Sequence, residues 1–148
     1  MIELRTEVPV PEIEPKTLKA TAQRLLSATG RGTAELSVLL TGDAQMRALN
    51  RTHRGKDKAT DVLSFPAPSP RSRHAARATL GDIAISVDTA RRQAAEYDAP
   101  LQSEIHRLLI HGILHVLGHD HHDARERAIM EAEEKRLARF ISMPWPYD

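Results

Sequence analysis

One segment, LQSEIHRLLIHGILHVLG at residues 101–118, constrains the fold of this chain more than any other. It is rich in Leu and Ile, contains no Pro, follows Pro100 and ends at Gly118. Pro and Gly at these positions typically mark the two ends of a helix. We therefore predict a helix over this segment, and we expect it to lie buried at the centre of the fold.

Two histidines on this helix are spaced for metal binding. His111 and His115 are four residues apart, so their side chains project from one face, one turn apart. If the helix continued, His121 would lie about 600° further round than His115 and would face away from the pair. Gly118 can adopt a left-handed conformation without a side-chain penalty and can so end the helix. We expect the chain to turn there and to bring His121 back to the other two imidazoles.

The residue types of this cluster predict a transition metal. Three imidazole ligands with a fourth position open to water are typical of catalytic zinc, whereas structural zinc usually has four ligands, mostly Cys. The chain contains no Cys. Imidazole also suits copper, nickel and iron. A histidine pair at this spacing is more often structural, and the third histidine is what favours a metal. His119 and His122 are alternatives to His121 for the third position, and we favour His121.

The carboxylates near the motif do not complete a protease site. In the H-E-x-x-H pattern of zinc proteases a Glu directly follows the first His, but here that position is Gly112. Peptide hydrolysis would therefore lack its general base. Glu104 lies two turns upstream on the helix face of the histidines. It either supports a metal ligand or is a first-turn carboxylate favoured by the helix dipole, and we favour the second.

The remaining pattern predicts an α+β fold. The chain has 148 residues, of which 41% are hydrophobic, so we expect one domain over residues 1–148. Strand and helix signals follow each other as strand, helix, strand, helix, two strands and three helices. This order predicts one sheet of about four strands packed with about five helices, with the metal-binding helix central. Residues 66–79, PAPSPRSRHAARAT, read as a loop.

Two of the helices carry signals that can be checked residue by residue. Ser86 directly follows the LGDIAIS strand and is a plausible N-cap for the next helix. The last helix, DARERAIMEAEEKRLARF, is highly charged, and we expect it to be solvated on all but one side. Its few apolar anchors would be Ile129, Met130, Leu137 and Phe140.

Basic residues are concentrated between Met46 and Ala78, which contain eight Lys or Arg and two Asp, although the net charge is only +1. Three of them, Arg54, Lys56 and Lys58, precede the DVLSF strand and could reach the mouth of the site. There they would neutralise phosphate oxygens, and we favour Arg54 for this role. Most such cations are simply solvated surface charges. Neither a secretion signal nor a membrane-spanning stretch is evident, so we expect a cytoplasmic protein without membrane contact.

Three motifs together resemble the YbeY family of bacterial metal-dependent endoribonucleases. They are NRTHRGKDKATDVLSFP, LGDIAIS and HGILHVLGHDH, and the similarity runs from Leu36 to Glu134. The resemblance implies action in ribosomal RNA maturation, notably at the 3′ end of the small-subunit RNA, and in ribosome quality control. It implies one Zn²⁺ per chain on His111, His115 and His121, and the functional arginine at Arg54. It also implies ribosomal RNA and the ribosome as partners, with ribosomal proteins or assembly GTPases, and no DNA.

One departure from the family pattern concerns the turn after the helix. The family commonly has Tyr where this chain has His119, so His119 could perturb or compete for the metal. The motif does not provide a general base. The leading hypothesis is a zinc-dependent endoribonuclease directed at single strands. The alternative is a non-catalytic ribosome-assembly or RNA-binding factor with a structural zinc, and a zinc protease is the least favoured because of Gly112.

Overall fold

The computed structural model describes residues 1–68 and 79–145, so most of the predicted loop at 66–79 lies outside the described residues. The described residues form four strands and five helices in the predicted order. Their bounds are β1 Ile2–Thr6, α1 Pro15–Ala28, β2 Glu35–Thr41, α2 Asp43–Arg54, β3 Val62–Pro66, β4 Thr79–Ser86, α3 Val87–Glu96, α4 Leu101–Val116 and α5 Ala124–Phe140. The predicted α+β class is confirmed.

The four strands form one mixed sheet in the order β1-β2-β4-β3. Strands β1, β2 and β4 are parallel to one another. Helix α1 connects β1 to β2 and returns the chain to the end of the sheet at which β1 begins. Strand β3 runs antiparallel to β4, with Val62 opposite Ile85. The start of β3 therefore lies beside the end of β4, where the backbone N–H of Ser86 donates to the carbonyl of Asp61.

The main core lies on one face of the sheet. Alternate strand residues on that face, among them Leu36, Val38 and Ile83, pack with α1, α4 and α5. Helix α4 is buried within this core, as predicted, and its fully buried side chains include Ile105, Leu109, Ile110 and Leu114. On the opposite face, Met46 of α2 packs on Leu63 and Ala84 in a smaller cluster. The sheet thus holds α4 in a fixed position.

Helix α4 approaches the sheet closely at Gly112. A Cβ atom built there would lie 2.9 Å from Ile83 Cγ2, closer than real Cβ contacts occur. The carbonyl of Gly112 also accepts a hydrogen bond from Ser64 Oγ on β3, at 3.3 Å. The absence of a side chain at Gly112 therefore allows the helix that carries His111 and His115 to pack tightly on the sheet.

The cap of α3 follows the sequence signal, whereas the apolar face of α5 differs from the prediction. Ser86 Oγ accepts the backbone N–H of Thr89, so the predicted cap of α3 is confirmed. Met130 and Leu137 are buried as expected, but the prediction was wrong for Ile129 and Phe140, which are 49% and 46% exposed. Ile129 lies about 100° around the helix from Met130, so only one of the two can face the core. No helix among the described residues is long and apolar enough to cross a membrane.

Candidate functional site

The C-terminal half of α4 presents the two helical histidines side by side. His111 Nε2 lies 3.0 Å from His115 Nε2, and their ring centroids are 4.5 Å apart. The helix ends at Val116, and Gly118 has a φ of +98°, in the left-handed region. After that turn the backbone N–H of His119 donates to the carbonyl of Leu114. The predicted helix end at Gly118 is thus confirmed.

The turn brings His121 back to the pair. Its ring centroid lies 5.3 Å from that of His115 and 6.2 Å from that of His111. Asp120 shapes this return, because its Oδ1 accepts the backbone N–H of His121 at 2.7 Å. The structure therefore places the three predicted ligands next to one another.

The two alternative histidines have other contacts. His122 Nε2 lies 2.7 Å from Asp120 Oδ2, and the His122 side chain is 81% exposed. His119 lines a neighbouring cavity with Glu126 and Ile129. The ring contacts with His111 and His115 are those of His121, which stays the predicted third ligand.

Arg54, at the end of α2, lines the same site as the three histidines. It is the last residue of α2, which ends where Gly55 adopts a left-handed φ of 69°. Arg54 and the three histidines all line one cavity of about 420 Å³, whose other walls come from the start of β3 and from the turn after α4, namely Thr60, Asp61, Val62, Ser64, Asp120 and His122. Lys56 and Lys58 do not line this cavity. Of the three cations considered from the sequence, the structure brings only Arg54 to the histidines.

Three imidazoles are donors of the kind that a transition metal takes, and two of them lie near the spacing that one ion requires. Burial lowers the pKa of His115, and the neighbouring His111 and His121 lower it further, so this ring favours the neutral form that binds metals. Two nitrogen ligands at about 2.05 Å from a tetrahedral ion are about 3.3 Å apart, close to the observed 3.0 Å. As the side chains stand, no three or more His, Cys, Asp or Glu in residues 1–68 and 79–145 form a group that could hold a metal ion. The three rings are neighbours, but their nitrogens do not form a finished coordination sphere.

Glu104 has a structural partner that the sequence did not indicate. Its side chain is fully buried, and it accepts hydrogen bonds from Gln93 Nε2 at 3.0 Å and from Arg107 Nε at 2.8 Å. Arg107 in turn lies 3.9 Å from Asp61 Oδ2 in the wall of the cavity. Glu104 itself does not line the cavity. It anchors Arg107 between α4 and the start of β3.

Glu134 is a site neighbour that the sequence analysis missed. This residue of α5 is 9% exposed, and its Oε2 lies 3.5 Å from His111 Nδ1. A signal was present, because Glu134 lies on the same helical stripe as Met130 and Leu137. A carboxylate on an otherwise apolar stripe indicates a buried partner.

The structure also gives a reason for the missing protease base. Position 112, which would carry the Glu of H-E-x-x-H, faces Ile83 of the sheet at a distance that excludes even a Cβ atom. A carboxylate at this position would have to enter the core rather than the cavity. The geometry therefore disfavours the protease hypothesis, in agreement with the sequence.

Comparison with known proteins identifies the family. Residues 3–142 match the family model described as Endoribonuclease YbeY. The chain belongs to the YbeY family. It is 46% identical over 138 residues to the Endoribonuclease YbeY of Anaeromyxobacter sp. (strain Fw109-5), a match that covers 91% of this chain and 70% of that relative. For the Endoribonuclease YbeY of Anaeromyxobacter dehalogenans (strain 2CP-C) the identity is 45% over 139 residues, covering 94% and 70%.

A solved structure agrees with this assignment. The solution structure of TM1509 from Thermotoga maritima superposes with a TM-score of 0.66 at 25% identity, covering 95% of this chain and 89% of that one. The resemblance seen in the three motifs is thus confirmed as membership of the YbeY family. This membership supports an endoribonuclease that acts on RNA.

Proposed function

We propose that the chain is a zinc-dependent endoribonuclease that cuts single-stranded regions of ribosomal RNA, in maturation of the small-subunit 3′ end and in ribosome quality control. The observation that carries the proposal is one cavity lined by Arg54 and the three neighbouring histidines, in a member of the YbeY family. A cation and a metal-binding cluster on the same cavity fit the cleavage of a phosphodiester.

The histidines would hold one Zn²⁺ per chain. His111 and His115 supply two imidazole nitrogens from a rigid, buried helix, and His121 supplies the third from the turn. Three protein ligands leave one position open, which is typical of catalytic rather than structural zinc. When bound, the ion supplies Lewis-acid polarisation of the scissile phosphodiester. A neutral His115, favoured by its lowered pKa, suits this role.

Arg54 would hold the phosphate. Two other arginines of α2 face Asp57, with Arg47 Nε at 2.8 Å and Arg51 Nη1 at 3.7 Å from its Oδ1. Within the described residues Arg54 has no such ion pair, and its position on the cavity leaves the guanidinium available to a substrate. A guanidinium can donate two parallel hydrogen bonds to phosphate oxygens and offset the charge that develops on them.

The proposed substrate implies a location and partners. A ribosomal RNA nuclease would act in the cytoplasm on ribosomal RNA or the ribosome, together with ribosomal proteins or assembly GTPases. Exposed basic residues near Arg54, such as Lys56 and Lys58, would attract the RNA backbone in a salt-dependent way.

Cleavage of a structured ribosomal RNA fragment tests the proposal. We expect His115→Ala to lose both bound zinc and cleavage, and Arg54→Ala to keep zinc but cut about 10²–10³-fold more slowly. Arg51→Ala is the matched control, because it removes an arginine of the same helix that faces Asp57 and does not line the cavity, and it should cut at nearly the wild-type rate. Circular dichroism checks that each variant is folded.

Two results would contradict the proposal. Equal cleavage by wild type, His115→Ala and Arg54→Ala would assign the activity to a contaminating nuclease. No cleavage product from any variant, together with RNA binding that depends on salt but not on His115, would favour the non-catalytic assembly or RNA-binding factor instead.

A further inference from the structure

A buried carboxylate on α5 requires an explanation. Glu134 lies on the buried face of this helix, between Met130 and Leu137, and is 9% exposed. Burial of an ionised carboxylate is unfavourable unless the carboxylate is paired, whereas an apolar side chain would pack there without that penalty. The other acidic residues of this part of the helix are solvated or paired nearby, since Glu133 binds Arg136.

The partner of Glu134 in the described residues is His111. Glu134 Oε2 lies 3.5 Å from Nδ1, on one side of the ring, while Nε2 on the other side lies 3.0 Å from His115 Nε2. The two nitrogens of this ring therefore face different groups. A neutral imidazole carries its proton on one nitrogen and its lone pair on the other, and the neighbour of the first nitrogen selects which is which.

We propose that Glu134 is a positioning residue, which accepts a hydrogen bond from His111 Nδ1–H and so directs the lone pair of Nε2 to the metal position. The inference rests on the proposed function, because it assigns a role in metal binding at the same site. The contact must close from 3.5 Å to a hydrogen-bond length of about 2.9 Å, a movement of about 0.6 Å. A flexible Glu side chain can make this movement without displacing α5.

The carboxylate would act on the ligand in two ways. It fixes the tautomer and the orientation of the His111 ring, and its negative charge makes the imidazole a stronger donor. Loss of such a partner typically weakens metal affinity by about 10–100-fold. Because Glu134 belongs to α5 and His111 to α4, the contact also couples the packing of these two helices to the geometry of the site.

Zinc affinity of the full chain, measured by competition with a chromophoric chelator, tests this role. Glu134→Leu removes both the charge and the acceptor, and we expect zinc affinity to fall about 10–100-fold. Glu134→Gln keeps an acceptor oxygen without the charge and should give an intermediate loss. Glu133→Gln is the matched control, because this neighbouring carboxylate of α5 pairs with Arg136 rather than with a histidine, and the zinc affinity of this variant should be unchanged.

A second measurement does not depend on zinc. Nitrogen-15 NMR of the imidazole in zinc-free protein should show His111 as the Nδ1–H tautomer in the wild type and as a mixture in Glu134→Leu. Wild-type zinc affinity in Glu134→Leu, or the same tautomer in both proteins, would overturn the proposal. A loss of thermal stability with unchanged affinity would show a purely structural role. If the wild type binds no zinc, the proposed function fails, and the tautomer still tests the contact.

Discussion

The buried histidine of α4 predicts a specific loss of stability in acid. His106 is 8% exposed, and its Nε2 has no hydrogen-bond partner in the described residues. Burial lowers the pKa of His106 from 6.5 to about 4. The folded chain therefore keeps this ring neutral down to about pH 4, whereas the unfolded chain protonates it near pH 6.5. Below pH 6.5 the unfolded state binds more protons, so stability falls until pH 4 and then levels off.

The size of this loss follows from the pKa. A fall from 6.5 to about 4, at about 1.4 kcal/mol per pH unit, corresponds to about 3 kcal/mol at pH 4 and to about 2 kcal/mol at pH 5. His106→Leu replaces the ring with an apolar side chain that does not titrate. Its stability at pH 7 should equal or exceed that of the wild type, because a buried polar atom without a partner is removed.

Urea unfolding of zinc-free protein at pH 7 and pH 5 measures the effect. From pH 7 to pH 5 the free energy of unfolding of the wild type should fall by about 2 kcal/mol more than that of His106→Leu. Other groups, including His115, titrate in both proteins and cancel in the comparison. Equal pH dependence in the two proteins would refute the reasoning, since it would mean that His106 takes up a proton in the folded state as easily as in the unfolded one.

Three further predictions concern single residues. Gly118→Ala should lower the free energy of unfolding by about 1–2 kcal/mol, because φ at this position is +98°, and should weaken zinc binding by displacing His121. A wild-type free energy of unfolding in urea, or a wild-type zinc affinity in chelator competition, would contradict this. Gly112→Glu should unfold the chain, because the added side chain would overlap Ile83. A variant that is folded by circular dichroism and that cleaves casein in a chelator-sensitive way would contradict this. Ser86→Ala should cost about 1–2 kcal/mol in urea unfolding through loss of the α3 cap, and an unchanged midpoint would contradict it.

Sequence signals predicted those parts of the fold that are determined by residues close together in the sequence. Helix α4, its end at Gly118 and the cap at Ser86 depend on backbone preferences within a few positions, and all three are confirmed. Local preferences cannot decide which of Ile129 and Met130 on α5 is buried, because both residues are apolar and adjacent. The packing of the whole helix against α4 and α1 decides which of them is buried.

The site was predictable only in the residues that share a local motif. His111, His115 and His121 lie within eleven positions, so helix geometry and one turn bring them together. Glu134 is thirteen residues beyond His121, and its contact with His111 depends on the crossing of α4 and α5. Arg54 could be named from its charge and its position before β3, but its approach to the histidines depends on the sheet order that places β3 beside α4.

Zinc titration of the nuclease activity tests the central claim most directly. Protein freed of metal by chelation should not cut a ribosomal RNA fragment, and cleavage should return with added Zn²⁺ to a plateau at one equivalent per chain. His115→Ala, prepared in the same way, should show no return of activity. Undiminished cleavage by the metal-free wild type would contradict the claim that these histidines hold a catalytic metal.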